Sequence, residues 1–212
     1  MGMVIEVIPV GPLAVNCSVV ADDRTGKAIV IDPGADAQKI IEVAKEFEVI
    51  GVLNTHGHID HVGQVKTVKE YFNVPFYLHK EDLYLIEDEI WEGFSRYIGA
   101  VPCPPPDEYL EEGMEISVGD LKLRVLHTPG HTPGLCCFYI EDENILIAGD
   151  LLFKGSIGRT DLPGGNPEEM KASLKRVFTE LPDETIVICG HYEETTIGHE
   201  RKFNPYLHGG LV

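Results

Sequence analysis

The segment THGHIDH, residues 55–61, contains three histidines and one aspartate in close succession: His56, His58, Asp60 and His61. Alternate residues of an extended chain point to the same side, so His56 and His58 can bind one metal ion, and Gly57 allows a tight bend between them. Asp60 and His61 then lie where a second ion can bind. Imidazole and carboxylate ligands suit zinc, iron or manganese. Without a metal, such a cluster would place costly polar groups in a cleft, so the segment predicts a metal site.

Three further metal-capable side chains follow apolar, strand-like runs later in the chain. They are His131, Asp150 and His191. The runs that precede them are residues 121–128, 145–149 and 186–190, just as residues 49–55 precede His56. Strands of one sheet can end at a common edge, so we expect all seven side chains to converge on one cleft and to be well anchored there.

The elements that must position these side chains are many strands and a few helices. Strand-like runs rich in β-branched residues, bounded by Gly, Pro, Asp or Asn, cover residues 3–10, 16–21, 27–32, 49–55, 74–79, 115–118, 121–127, 135–140, 144–149 and 184–189. Apolar residues at helical spacing mark three helices, and the clearest begins at Asn166 with Pro167 as its first residue. Two sheets packed face to face with helices outside would account for this mixture, although other α/β architectures share it.

The length of the chain, 212 residues, fits one domain of ordinary size. Residues 1–11 lack the features of a signal peptide, and no run is long and apolar enough to cross a bilayer. The five cysteines are scattered without a CxxC pair, which is typical of reduced thiols. They are Cys17, Cys103, Cys136, Cys137 and Cys189. We therefore expect a cytoplasmic protein.

The formal net charge of −18 limits the classes of partner. Such a surface repels phosphate backbones and anionic membranes, so neither nucleic acid nor a membrane is an expected partner. A small-molecule substrate is the expected partner. The sequence contains no indication of the oligomeric state.

Four motifs in order along the chain resemble the motif series of the metallo-β-lactamase superfamily, in particular its glyoxalase II-like hydrolases. They are THGHIDH (55–61), TPGHTPG (128–134), AGDLLF (148–153) and CGHY (189–192). The tail ETTIGHERKFNPYL (194–207) is similar to the segment that follows the last ligand histidine in that branch. The resemblance implies an αββα sandwich formed by residues 1–212 as a single domain.

The same resemblance implies a role for each candidate ligand. His56, His58 and His131 would hold one metal ion, and Asp60, His61 and His191 would hold the other. Asp150 would bridge the two ions, and Asp32, in the IDPG turn, would support the site from behind the ligands. We expect two divalent ions, zinc before iron or manganese.

The chemistry that two such ions imply is hydrolysis of a thioester or a related ester. A hydroxide shared by the ions would attack the acyl carbon, Asp60 would orient this hydroxide, and one ion would polarise the carbonyl oxygen. S-Lactoylglutathione is one candidate substrate. The C-terminal helical region with which glyoxalase II binds glutathione has no counterpart within these residues, which weakens this candidate.

The sequence departs from glyoxalase II after Asp150. Glyoxalase II has a lysine and an aromatic residue in this loop, whereas this chain has GRTD at residues 158–161. Arg159 can bind a substrate carboxylate, or it can pair with Asp161. Aromatic residues at 91, 94 and 97 are interpreted as packing residues, and His79 is interpreted as structural.

Three other functions remain to be weighed against the dinuclear hydrolase. GRTD also occurs in persulfide dioxygenases, in which two histidines and one aspartate hold a single iron. A non-catalytic metal-binding module would have a closed site without an open position for water. A β-lactamase is not expected, because a bridging aspartate such as Asp150 is not part of the ligand pattern of those enzymes.

Overall fold

The computed structural model describes residues 2–87 and 92–208. Within these ranges one six-stranded sheet follows the order of the chain. Its strands are β1 (Met3–Val10), β2 (Val15–Asp22), β3 (Lys27–Ile31), β4 (Glu48–Leu53), β5 (Phe76–His79) and β6 (Glu108–Leu110). β1, β2 and β3 pair antiparallel, whereas β3 to β6 pair in parallel. The parallel strands therefore all end at the same edge of this sheet.

A second six-stranded sheet has the order β14-β13-β10-β9-β8-β7. Its strands are β7 (Glu115–Val118), β8 (Leu121–His127), β9 (Cys136–Ile140), β10 (Ile145–Gly149), β13 (Ile186–Cys189) and β14 (Thr195–Thr196). β10 and β13 pair in parallel, and the other neighbours pair antiparallel. The short strands β11 (Leu152–Phe153) and β12 (Ser156–Ile157) form a separate hairpin.

The two sheets pack face to face, and alternation along β9 illustrates how. Cys136, Phe138 and Ile140 join a buried cluster that contains residues of both sheets. Cys137 and Tyr139 point the other way, into a cluster shared with a helix on the outer face. All five side chains are buried, as expected of a strand that is covered on both faces.

Helices cover the outer face of each sheet. The described helices are α1 (Ala37–Ala44), α2 (Ile59–Val62), α3 (Val65–Phe72), α4 (Leu83–Glu87), α5 (Glu92–Ile98), α6 (Pro167–Glu180), α7 (Ile197–Phe203) and α8 (Pro205–His208). α1 and α3 pack on the first sheet, and α6 packs on the second through Met170, Leu174 and Val177. α6 begins as predicted: the Asn166 side chain accepts hydrogen bonds from the next helical N–H groups.

The layers are therefore helix, sheet, sheet and helix, which confirms the expected αββα sandwich. Among the described residues, no helix has the length and hydropathy that a membrane span requires. The strands β6, β11, β12 and β14 and most of the short helices were not predicted, because elements of two to seven residues contain too few periods of the hydrophobic pattern to be recognised.

Candidate metal centre

The candidate ligands follow strand ends that meet at one edge of the sandwich. β4 leads to His56, β8 leads to His131, and the parallel strands β10 and β13 lead to Asp150 and His191. Backbone hydrogen bonds join the two sheets at this edge: Cys136 N–H donates to the Thr55 carbonyl at 2.8 Å. The ligands thus come from both sheets, and their relative positions depend on how the sheets are packed.

His56, His58 and His131 form the first group of facing side chains. His58 Nδ1 lies 3.1 Å from His56 Nε2 and 2.9 Å from His131 Nε2. One ligand atom from each residue lies within 4.8 Å of the others, and all three side chains are buried. This spacing allows one ion to contact all three imidazoles.

Asp60, His61 and His191 form the second group. His61 Nε2 lies 3.3 Å from His191 Nε2, and Asp60 Oδ2 lies 3.5 Å from His191 Nε2. These ligand atoms also fall within 4.8 Å of one another. Asp60 and His61 belong to α2, a single helical turn that begins directly after His58. This turn directs the second half of THGHIDH to the second group of facing side chains.

Asp150 lies between the two groups. Its Oδ2 atom is 3.5 Å from His131 Nε2 and 3.6 Å from His191 Nε2, and its Oδ1 atom is 3.5 Å from His61 Nε2. Oδ1 is buried and has no hydrogen-bond partner among the described residues. A buried carboxylate oxygen without a donor is costly, and a cation shared by the two groups would satisfy it.

The donor chemistry of the cluster fits divalent metal ions. Ring nitrogens of several imidazoles face one another, and they cannot all be satisfied by mutual N–H···N hydrogen bonds. Nitrogen and carboxylate oxygen donors without thiolate are the ligands of zinc, iron and manganese sites. The residues present therefore fit the metal centre that the sequence motifs predict.

Electrostatics divide the cluster into two halves. Burial lowers the pKa of His56 well below its usual range, and nearby imidazoles lower it further. Burial and the neighbouring His131 lower the pKa of His58 to about 3. Burial also acts to lower the pKa of His61, but the carboxylates of Asp150, Asp60 and Asp32 outweigh it and raise this pKa to about 10. His56 and His58 are thus neutral, as ligation requires, and the second group has acidic surroundings that attract a cation.

The second nitrogen of four candidate histidines is held by the protein. His56 Nδ1 lies 3.0 Å from the Thr55 hydroxyl, and His61 Nδ1 lies 3.0 Å from Asp32 Oδ2. His131 Nδ1 lies 2.7 Å from the carbonyl oxygen of Arg159, and His191 Nδ1 lies 3.0 Å from that of Leu13. Such contacts fix the ring orientation and leave Nε2 facing the cluster.

Asp32 has a larger network than the sequence indicated. Its carboxylate accepts hydrogen bonds from Thr55 N–H at 2.7 Å, from the Thr55 hydroxyl at 2.6 Å and from Asn54 Nδ2 at 3.1 Å, in addition to its contact with His61. Asp32 is 2% exposed and has a positive φ of 53°. Asparagine and aspartate tolerate this left-handed backbone better than most residues, which suits Asp32 to the turn after β3.

A cavity of about 650 Å³ opens above the cluster. Its apolar wall consists of Leu13, Ile59, Phe94, Phe153, Ile157 and Leu162. Phe94, interpreted from sequence as a packing residue, thus lines the cavity, whereas residue 91 lies outside the described residues and Tyr97 is 70% exposed. The cavity can therefore receive a small molecule with an apolar portion.

The charged residues at the rim of the cavity are paired. Arg159 binds Asp161 in a bidentate manner, with Nε–Oδ1 at 2.7 Å and Nη2–Oδ2 at 2.8 Å, which holds the pKa of Asp161 at about 2. Lys154 pairs with Glu193 at 2.6 Å. Of the two interpretations of Arg159, the pair with Asp161 is thus present, and the side chain also lines the cavity.

Several residues around the cluster were not predicted from the sequence. Tyr192 lines the cavity, is 78% exposed and has a positive φ of 65°. The Asn16 side chain donates to the carbonyls of Cys189 and Tyr192 at 2.9 Å each, which fixes the loop around His191. Asp82 is completely buried between two ligand loops. The sequence did contain one indication for Asn16, because it is a polar residue at the start of the largely apolar run that forms β2.

The four-layer sandwich and the cluster at its edge define a class of metal-dependent enzymes in which strand ends supply histidine and aspartate ligands. A family model described as the metallo-beta-lactamase superfamily matches residues 10–191, so the chain belongs to that superfamily. The finding confirms the resemblance inferred from the four motifs, and it places the chain in a family of metallo-hydrolases.

Relatives and solved structures extend this comparison. The chain is 36% identical to the hydroxyacylglutathione hydrolase GloC of Haemophilus influenzae over 97% of its own length and 98% of that protein. It is similar to the BLEG-1 B3 metallo-beta-lactamase structure, with 39% identity, a TM-score of 0.87 and coverage of 96% and 99% of the two chains. It is also similar to TTHA1623 in a di-iron-bound form, with 38% identity, a TM-score of 0.86 and coverage of 95% and 100%.

Proposed function

We propose that this protein is a dinuclear metal-dependent hydrolase that cleaves a small thioester or a related ester. The observation that carries the proposal is the pair of ligand groups with Asp150 between them at the base of an open cavity. We infer that His56, His58 and His131 hold one ion and that Asp60, His61 and His191 hold the other. A closed structural site would not need a cavity of this size above its ligands.

In the proposed reaction, water adds to the acyl carbon, the carbon–sulfur bond breaks, and a carboxylic acid and a thiol leave. When bound, the metal ions would supply Lewis acidity and lower the pKa of water to about 7. Asp60 lines the cavity and would orient the attacking water by accepting a hydrogen bond from it. The apolar wall would exclude other water and place the acyl carbon beside the cluster.

The substrate that the cavity favours is a small acyl-thiol with apolar character. The similarity to a protein named hydroxyacylglutathione hydrolase, aligned over 98% of that protein, supports S-lactoylglutathione as the first substrate to test. Arg159 would bind a substrate carboxylate only after it exchanges its partner Asp161, and this exchange is feasible because both side chains are more than 60% exposed.

We infer a cytoplasmic protein that acts as one domain, with its five cysteines reduced.

The first experiment measures metal content in the protein as purified, by elemental mass spectrometry without added metal. About two zinc ions per chain, or two manganese or mixed ions, would support the proposal. Hydrolysis of a panel of thioesters, including S-lactoylglutathione, would then be assayed. If protein with two bound ions hydrolysed no thioester or ester in a broad panel, the proposed activity would be wrong.

A matched pair of variants tests whether the ligands hold catalytic metal. We expect His58→Ala to lose metal and activity while it remains folded. His199→Ala removes a half-exposed histidine from α7 and should retain both. Full unfolding of His58→Ala would instead mean that the metal is structural.

Two results would favour other activities. About one iron per chain, together with oxygen uptake in the presence of glutathione persulfide, would identify a mononuclear-iron dioxygenase. The di-iron form of TTHA1623 makes the identity of the metal a decisive measurement. The ligand pattern argued against β-lactamase activity, but the chain is similar to a structure named as a B3 metallo-beta-lactamase. The substrate panel therefore includes a β-lactam. Bound metal without turnover of any of these compounds would indicate a non-catalytic module.

A further inference from the structure

Asp82 lies outside the metal-ligating motifs, but its side chain joins two of them. It ends the turn of 3-10 helix at Lys80–Asp82, between β5 and α4, and it is 0% exposed. Asp82 Oδ2 accepts hydrogen bonds from Gly57 N–H at 2.9 Å and from the Thr132 hydroxyl at 2.8 Å. Asp82 Oδ1 accepts a hydrogen bond from Gly134 N–H at 2.7 Å.

The donors come from the two loops that supply the first ligand group. Gly57 lies between His56 and His58, and Thr132 directly follows His131. A single carboxylate thus bonds to the backbone of one loop and to the backbone and side chain of the other. Its hydrogen bonds therefore couple the loops that carry His58 and His131, whose facing nitrogens are 2.9 Å apart.

The packing around Asp82 supports the same interpretation independently of the hydrogen bonds. A Cβ atom added to Gly57 would lie 2.9 Å from the Asp82 carbonyl oxygen, and one added to Gly134 would lie 2.6 Å from Asp82 Cγ. Both loops therefore approach Asp82 through a glycine. The position of Gly57 in THGHIDH is explained by this close approach, since its φ is not in the left-handed region that requires glycine.

We propose that Asp82 is a positioning residue that sets the separation of the His56–His58 loop and the His131 loop and thereby maintains metal affinity. An ionised carboxylate only accepts hydrogen bonds, so it matches three converging donors. The inference rests on the proposed metal-binding role of these histidines and does not depend on the substrate.

Asp82→Asn tests the inference, because the amide NH₂ must face at least one of the three donors. Asp22→Asn is a matched control. Asp22 is 2% exposed and also accepts three hydrogen bonds: from Arg24 N–H at 3.1 Å, from the Thr25 hydroxyl at 2.8 Å and from Asp120 N–H at 2.8 Å. It lies at the end of β2 beside the start of β3, at the edge of the sheet opposite the ligands.

The readouts are the zinc dissociation constant, from competition with a chromophoric chelator, and the visible spectrum of the cobalt-saturated protein. We expect Asp82→Asn to weaken zinc binding about 10- to 100-fold and to shift the cobalt bands, as is typical when residues that orient metal ligands are changed. Asp22→Asn should retain wild-type zinc affinity and spectrum, even if both variants lower the unfolding temperature of the metal-free protein equally.

The inference is overturned if Asp82→Asn binds zinc as tightly as the wild type, or if Asp22→Asn loses as much affinity. If Asp82→Asn does not fold, Thr132→Val removes one donor at this site, and Thr25→Val removes the matching donor at Asp22. Equal zinc affinities of these two variants would also overturn it. A wild-type protein that binds no zinc, iron or manganese would contradict the proposed function itself, which is a different result.

Discussion

Replacement of Asp32 by asparagine tests how the protein holds His61. The asparagine backbone tolerates the φ of 53° at this position, so the change is confined to the side chain. The amide oxygen is expected to occupy the Oδ1 position, because Thr55 N–H and Asn54 Nδ2 donate there and cannot accept a hydrogen bond. The amide NH₂ then faces the Thr55 hydroxyl, which can turn to accept, and His61 Nδ1, 3.0 Å from Oδ2 in the wild type.

The expected loss of metal affinity follows from one unfavourable contact, between the amide NH₂ group that Asp32→Asn introduces and the N–H group at His61 Nδ1. A metal ion bound at His61 Nε2 leaves the only ring proton on Nδ1, where it faces the new NH₂ group. A bound ion also fixes the orientation of the ring, whereas the metal-free ring can turn away from the new NH₂ group, so the penalty falls mainly on the metal-bound state. A buried donor without an acceptor costs about 1–3 kcal/mol, which corresponds to about 5- to 150-fold weaker binding.

Zinc titration with a competing chelator measures this effect. We expect the ion held by His61 to bind 5- to 150-fold more weakly (about 1–3 kcal/mol) in Asp32→Asn, whereas the ion held by His56, His58 and His131 retains its affinity. Asp22→Asn controls for the loss of a buried carboxylate elsewhere. Wild-type affinity for both ions in Asp32→Asn would refute the argument, because the Asp32–His61 contact would then not orient the ligand.

Three further predictions concern stability and the cavity. Burial and His127, stacked at 4.1 Å, lower the pKa of His79 to about 4, below the value of about 6.5 in the unfolded chain. The unfolded state therefore takes up the proton first, and stability is lost as the pH falls from about 6.5 to about 4. His79→Asn retains an acceptor for Glu81 N–H, and urea unfolding at several pH values should show a smaller loss than in the wild type. Asn166→Ala removes the cap of α6 and should cost about 1 kcal/mol, or about 2–4 °C in unfolding temperature, by calorimetry. Tyr192→Asn places a residue that tolerates a positive φ at this position but removes the aromatic ring from the cavity. Steady-state kinetics should therefore show a KM about 5-fold higher at unchanged kcat. A fall in kcat alone would contradict this prediction.

The sequence was sufficient for the features that depend on local pattern. Strands that are buried on both faces appear as continuous apolar runs, and turn residues mark where they end. THGHIDH predicts a metal site because its ligand types and spacing act over one bend of the chain. The start of α6 at Asn166 was recognisable for the same reason, since a cap involves residues only two or three apart.

The pairing of the sheets was not available from local pattern. Cys137 and Phe138 are both apolar neighbours in β9, and only the packed structure assigns one to the helical face and the other to the space between the sheets. Short elements such as β6 and β14 form because a neighbouring strand offers hydrogen bonds, which no periodicity within two or three residues reveals.

The chain by itself determined which side chains can bind metal, because ligand chemistry is a property of residue type and spacing. The tertiary structure alone decided how those ligands are held. Asp82 is 25 residues from Gly57 and 52 from Gly134 in sequence, and His131 is oriented by a carbonyl 28 residues away. Contacts at such separations exist only after two sheets have packed and their strand ends have met, since neither spacing nor hydrophobic period extends that far along a chain.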